Sequence, residues 1–501
     1  MSEDRRISRE RLEAHPGEVY TRTILKPSYD FMLEHYFEAL IETNKAWTVM
    51  LTEQQIINEE TARGLLQAIA ALEKDGRAGM GEFDPHVEYF YSTMERYLIE
   101  RAGENVAGEI NIGRTRPEPL ARMVMRARLT DVGDGLLALR ARLLALAETH
   151  KTTVMPLGTH MQHAQVVTLG HYLMGMVNAF ERDFERLMAA WRRSNHCTLG
   201  CGALAGSSYP IERQRVAELL GFDGIIENTN DCVGTGDYML EAAAALANMM
   251  ITASRLCQDL YTWHTQEFSY ISIGDEYSGS SSMMPQKKNP YPFEYARTLA
   301  AHTVGEMTSA FATLHNVNFQ DTKDVEEGLA PPLFRSLHET RKTLELLEGV
   351  LSTLEVNSDA MMEQASRHFA TCTELAAVIH RGSDLSFRTA HRVVGNLVLR
   401  AMKQGRDATE VDAALVNESA REIIGRELEL DDETVRNALH PETFVKAHRV
   451  EGGPAPEPMD AAISASTRRL DEDRTALASL RTQLEEANEQ LGARVAEIGG
   501  Q

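Results

Sequence analysis

Leu129, Val132, Leu136, Leu139, Leu143 and Leu146 recur at alternating spacings of three and four residues. Such a repeat puts every apolar side chain on one seam of a helix, and the seam is stable only when other helices cover it along its length. The spacing predicts a long helix in a bundle. Leu173, Met176, Phe180, Phe184, Leu187 and Trp191 form a second apolar stripe. From about Tyr238 to Phe268 the chain begins apolar almost all round (EAAAALANMMITASRL), the pattern of a helix buried in the middle of a bundle. A further long helix is expected from about Pro292 to Leu314. These stripes read as core, not as cofactor-binding faces.

Strand signals are nearly absent: no alternating Val, Ile, Thr and aromatic run is bounded by turn dipeptides. No GxGxxG follows a strand, and there is no phosphate-binding loop. The expected fold class is all-α. Composition suggests an N-terminal helical domain over residues 1–115, a central long-helix domain over 116–365, and a C-terminal helical domain over 366–501. The last is cut by the turn EGGPAPEP at Glu451 to Pro458. Beyond it, Leu470, Leu477, Leu480, Leu484, Ala487 and Leu491 again fall on heptad positions. They predict a tail helix that docks on its own chain or on another subunit.

A chain of 501 residues is long enough for about three domains. Its net charge of -23 argues against a nucleic-acid partner, which needs a basic surface, and against docking on an anionic membrane. The acidic surface suits solubility. Five cysteines are too few and too scattered for a disulfide framework. Cys197 and Cys201, even with His196, lack the second pair a zinc site needs, so the cysteines read as small apolar residues. The N-terminus is charged throughout, without a leader's apolar stretch. A cytoplasmic protein is expected.

The segment Ile271 to Pro290, ISIGDEYSGSSSMMPQKKNP, stands apart. Gly and Ser loosen its first half, and Pro285 and Pro290 stiffen the second. A Gly/Ser run alone would be a surface linker. Lys287, Lys288 and Asn289, bracketed by prolines, instead suggest a loop that binds an anion.

Ser281-Ser282-Met283-Met284-Pro285-Gln286-Lys287-Lys288-Asn289-Pro290 resembles the SSxMPxKxNP signature of the fumarase/aspartase superfamily, in the Q-K-K-N-P form of its argininosuccinate lyase branch. The family usually has Gly just before the two serines; here Ser280 stands there, with Gly279 one step earlier. Thr159-His160-Met161-Gln162-His163-Ala164-Gln165, with Thr168-Leu169-Gly170-His171, resembles THxQxAQ…TLGH. Gly200 to Ile211 resembles GSGALAGTSFPI, and Asn111 to Arg116 (NIGRTR) resembles H-T-G-R-S-R. Asp84-Pro85-His86 sits where the family has D-V-H.

The resemblance implies a three-domain fold whose central helices assemble into a homotetramer, with three chains contributing to each active site and no metal or organic cofactor. It implies a C–N lyase that splits an N-substituted aspartate into fumarate and an amine through an aci-carboxylate intermediate. Ser281 matches the general base and His160 the active-site histidine. Lys287 and Asn289, with loop N–H groups, match the donors to the aci-carboxylate, and Ser282 and Met284 flank them. Thr159 is expected to hold the other end of the fumaryl unit, with Gln162 beside it and help from Thr115 or Asn111. Arg114 and Arg116 are candidate carboxylate binders through their bidentate fork.

Departures fall elsewhere. Where the branch reads S-R-N-D, this chain has Thr115-Arg116-Pro117-Glu118. Where it reads Y-x-K-D-x-Q-E-D-K, this chain keeps Lys323 and Asp324 but has Asp321, Glu326 and Leu329 at the Tyr, Gln and last Lys positions. Those segments contact the leaving group in the family. The pattern implies intact fumarate chemistry with a different amine, and resembles lyases acting on ethylenediamine-N,N'-disuccinate. Asp321 and Glu326 would suit a cationic diamine. Argininosuccinate is the alternative substrate, and a non-catalytic crystallin-like structural protein the alternative of another class.

Overall fold

The computed structural model describes residues 14–115 and 119–500. The predicted helices form. The first heptad seam lies on Leu120–Thr149, the second stripe on Leu169–Ser194, and the apolar helix spans Asp237–Trp263. That helix ends at Trp263 because Tyr270 returns to donate its N–H to the Trp263 carbonyl, by way of Ser269 at a φ of 51°. Tyr291–Leu314 and Ala330–Ser352 complete a bundle of five long helices, each of the last two opened by a proline in its first turn, where the missing N–H costs nothing. Leu129, Val132, Leu136, Leu139 and Leu143 are buried, as are Phe180, Phe184 and Trp191.

The N-terminal part packs Lys26–Glu53, Glu59–Asp75 and Phe90–Ala102 onto the same core. Residues between Leu375 and Leu439 instead build a small core of their own, with Ile379, Val393, Leu397, Val416 and Val435 inside it. The tail helix, Pro456–Gly499, leaves that small core and lies on its own chain, along the bundle and the N-terminal helices. Gly133 allows the contact: a Cβ there would sit 3.1 Å from Leu477. Arg140, fully buried, reaches Asp473 of the tail at 2.5 Å, and Arg494 reaches Glu53 at 2.9 Å.

The all-α class holds, with a little strand added. Among the described residues there are three two-stranded sheets. The largest is an antiparallel hairpin, Val154–Thr159 with Gln162–Thr168. Its signal was hidden because Pro156 and Gly158 interrupt one strand and a register shift follows Leu157. Its base is held by Val154 and Val166 against Phe444 and Val445. No helix among the described residues is long and apolar enough to cross a membrane.

Candidate active site

The loop before Tyr291 is tied at its neck. Gly279 and Asn289 exchange backbone hydrogen bonds of 2.8 and 2.9 Å. The Asn289 amide donates to the Gly279 carbonyl at 3.2 Å and to the Tyr291 hydroxyl at 3.3 Å. A Cβ on residue 279 would lie 2.0 Å from the Tyr291 ring, so glycine is required at that step and not at Ser280. Above the neck, Ser281 Oγ accepts the N–H of Met284 at 3.0 Å and of Met283 at 3.3 Å. Lys288 pairs with Asp275 at 2.9 Å. Ser282, Met284 and Lys287 are exposed. A cavity of about 1040 Å³ beneath the loop is lined by Lys287, Asn289 and His264 among others. Burial, and then the Lys288 ammonium, holds the His264 imidazole below its usual range. His264 lies outside every matched motif, so nothing local in the sequence marked it.

His160 and Met161 form the two-residue tip of the hairpin, closed by the Thr159–Gln162 pair. Their φ angles are 53° and 60°, those of a type I′ turn, which normally takes Asn or Gly. Thr159, His160, Met161 and Gln162 are all exposed, and the Gln162 amide donates to the Met161 carbonyl at 3.1 Å. Two bulky residues held in a left-handed turn at an exposed tip are the kind of strain that clusters at functional sites.

The third group is rearranged relative to expectation. Asn111 donates to Glu95 at 2.6 Å and accepts from the Tyr91 hydroxyl at 3.2 Å, so both ends of its amide are engaged within the chain. Arg114 turns inward, donating to Asn44 Oδ1 at 2.9 Å near the Trp47 and Tyr91 rings. Lys323 donates to Glu326 at 2.7 Å and to Glu327 as well. Burial is the largest single effect and lowers its pKa, but the two carboxylates together outweigh it and raise the pKa. Arg116 lies outside the described residues. Thr115 and Lys323 do come together, in a cleft of about 440 Å³.

No disulfide joins the cysteines among the described residues, and their thiols sit in different surroundings. Burial raises the Cys257 thiol, to about 12, whereas Cys201 as hydrogen-bond partner, helped by Arg213 at 3.2 Å, lowers that of Cys232.

No hydrogen bond or ion pair among the described residues links the loop, the hairpin tip and the cleft. The loop and the hairpin tip are exposed, and the candidate residues are divided among the three places.

Comparison with known proteins matches a lyase family over residues 18–305 and an argininosuccinate lyase C-terminal family over 369–446. Argininosuccinate lyase of Methanosarcina barkeri is 35% identical over 497 residues, 98% of this chain and 98% of its own. That of Methanocaldococcus jannaschii is 36% identical over 438 residues, 87% of this chain and 89% of its own. The chain belongs to this lyase family. It is a fumarate-releasing carbon–nitrogen lyase of the fumarase/aspartase superfamily, in the argininosuccinate-lyase-like branch. Among solved structures, an EDDS lyase in complex with formate is similar at a TM-score of 0.87 and 28% identity, covering 97% of each chain. An EDDS lyase variant with bound fumarate follows at a TM-score of 0.86 and 28% identity, covering 100% of this chain and 99% of its own.

Proposed function

We propose that the lyase removes a proton from the carbon beside a carboxylate of an aminopolycarboxylate, such as ethylenediamine-N,N'-disuccinate, and then expels the amine to leave fumarate. The observation that carries the reading is the Ser281 turn. A serine hydroxyl is a poor base in water. Two backbone N–H groups on its oxygen favour the oxyanion over the alcohol, and a loop that closes away from water strengthens that preference.

In the proposed step Ser281 Oγ takes the proton. The electron pair left on carbon moves onto the carboxylate, giving the aci-carboxylate. That doubly charged group needs fixed donors: the exposed Lys287 ammonium and the loop N–H groups are at hand, with Asn289 at the neck. The pair then returns to form the C=C bond as the C–N bond breaks, and His160 hands a proton to the departing amine nitrogen. Thr159 and Gln162 hold the far carboxylate, with Thr115, Asn111, Arg114, Arg116 and Lys323 on the opposite wall.

The division of these residues over three separate places in the chain supports a homotetramer in which three chains complete each site. Asp321, Glu326 and Leu329, where the branch has Tyr, Gln and Lys, favour an amine other than arginine. The names of the sequence relatives favour argininosuccinate as the second reading.

Purified protein is mixed with argininosuccinate or with (S,S)-ethylenediamine-N,N'-disuccinate, and fumarate is followed by ultraviolet absorbance. Fumarate from the disuccinate alone is expected, and Ser281→Ala is expected to abolish it while the fold persists. Fumarate from argininosuccinate would establish the second reading. Full activity in Ser281→Ala would remove serine as the base.

A further inference from the structure

Cys201 and Cys232 belong to separate pieces of chain whose side chains meet. Cys201 opens a tight turn over 201–206, in which the Gly206 N–H donates to the Cys201 carbonyl at 2.7 Å. Cys232 lies on the short helix Thr229–Gly234. The two thiols are hydrogen-bonded to each other. Arg213 fixes the pair from one side: it donates to the Cys232 sulfur at 3.2 Å, to the Ile226 carbonyl at 2.8 Å and to the Leu199 carbonyl at 3.3 Å. A guanidinium held by neutral carbonyls against a sulfur favours that sulfur as thiolate, the form that reacts. The Cys201 hydrogen bond, then Arg213 and Arg122, lower the Cys232 thiol against the opposing effect of burial. Burial instead raises Cys257 and Cys372. Cys232 reaches the surface at 9% exposed, whereas Cys201 is wholly buried behind it. A thiolate-prone sulfur with a way in for a small oxidant, backed by a second thiol, has the parts of an oxidisable pair.

The place of the pair gives a bond there a consequence. A Cβ on Gly113 would lie 2.9 Å from Ser207 Oγ, so the segment leading to Thr115 rests on the chain just after the Cys201 turn. A Cβ on Gly234 would lie 3.0 Å from the Phe319 carbonyl carbon and 3.1 Å from the Gln320 nitrogen, so the backbone leading to Asp321 and Lys323 rests on the Cys232 helix. Thr115, Asp321 and Lys323 line one cleft. Close packing of this kind transmits a displacement of the support to what lies on it.

We propose that Cys232 and Cys201 are a modification site for peroxide, and that their reversible disulfide draws the two supports together and slows turnover. The Cys232 thiolate attacks one oxygen of hydrogen peroxide. The O–O bond breaks, and the other oxygen leaves as hydroxide and becomes water on taking a proton. The Cys201 sulfur then attacks the sulfenic sulfur of Cys232, the S–O bond breaks, and a second water leaves with the Cys201 proton. The two thiols lose two electrons in all, and peroxide is reduced to two waters. A dithiol reverses the bond by exchange. A bonded S–S distance of about 2.05 Å is much shorter than a contact between thiols, so the turn and the helix must approach.

The full-length protein is treated with hydrogen peroxide, alkylated, digested without reduction and mapped by mass spectrometry. Fumarate release is followed in parallel from whichever of the two compounds the untreated enzyme cleaves. A crosslink between Cys201 and Cys232 is expected, with kcat lower by at least about tenfold, as for a small displacement at a reacting group. Dithiothreitol is expected to reverse both, which it does not do for oxidised methionine, so damage to the exposed Met283 and Met284 is told apart. Cys232→Ser should keep its turnover through the same treatment. Cys201→Ser should gain oxygen on Cys232 and form no crosslink. The wild-type map decides the site even where a substitution at either position unsettles the fold. Oxidation confined to Cys372, a Cys201–Cys232 crosslink with kcat unchanged, or an equal reversible loss in Cys232→Ser overturns the proposal. The turnover arm rests on the proposed elimination and the crosslink does not: fumarate from neither compound, with the crosslink formed, counts against the substrates named above and supports the site.

Discussion

Ser281 Oγ lies 3.0 Å from the backbone nitrogen of Met284 and accepts its hydrogen bond, in a loop whose neck is closed by Gly279 and Asn289. The turn that polarises the serine is therefore positioned by a backbone pairing beneath it, and that pairing brings the Tyr291 ring so close to residue 279 that a side chain there would collide with it.

Replacing Gly279 with Ala should test that dependence. The added carbon would meet the Tyr291 ring at 2.0 Å, so the ring or the neck must move. A misplacement of about 1 Å at a reacting group costs about a hundredfold in rate. Steady-state kinetics should show a fall in kcat of that order, with a smaller change in melting temperature. Unchanged kcat would mean that the neck does not position the serine.

The hairpin tip stores strain that can be released. Met161 has a φ of 60°, in a region that disfavours residues with a Cβ by about 1–2 kcal/mol. Met161→Gly should raise stability by about 1 kcal/mol, read as a higher urea midpoint at an unchanged slope. A lower midpoint would show that the exposed Met161 side chain contributes packing that outweighs the strain.

Arg140 joins the tail helix to the bundle from a fully buried position. Asp473 meets it at 2.5 Å and Glu181 stands farther off at 3.7 Å. Asp473→Ala leaves the guanidinium in the core with one distant partner. Breaking a buried pair on one side costs about 3–5 kcal/mol; Asp473 is 28% exposed, so about 3 kcal/mol is expected. Equilibrium unfolding of the variant measures it, and a loss below about 0.5 kcal/mol would make the pair no stronger than a surface one.

Glu53 gives the tail a pH dependence. The Arg215 hydrogen bond is the main cause of its lowered pKa, with burial opposing and Arg494 of the tail adding to the depression. A carboxylate whose folded pKa is depressed contributes stability above its unfolded pKa and loses it as pH falls through the folded value. Glu53→Gln should therefore destabilise at neutral pH, with the difference from wild type shrinking as pH falls below about 4.5. Melting curves across that range check it; a difference constant with pH would remove the ionic account.

Much of this chain was legible in its sequence because the signals are local. A heptad seam on Leu129 to Leu146 specifies a helix and its buried face without reference to the rest of the fold, since 3.6 residues per turn convert spacing into direction. The tail seam predicted a docking helix in the same way. The serine loop, too, was marked by residues contiguous in sequence.

What only the tertiary structure decided concerns partners far apart along the chain. Arg140 and Asp473 are 333 residues apart, and no periodicity says which surface the tail will choose. Arg114 donates to Asn44 beside the Trp47 and Tyr91 rings, a contact across 70 residues that no local motif specifies. Lys323 is paired with Glu326 and Glu327, so its ammonium is engaged within the chain. The hairpin escaped notice because its strands are stabilised by pairing with each other and by packing on Phe444 and Val445, a tertiary contribution that outweighs weak local strand preference. Side-chain type and spacing determined the helices and the chemistry of the loop; packing at long sequence separation determined which charges remain available to a substrate.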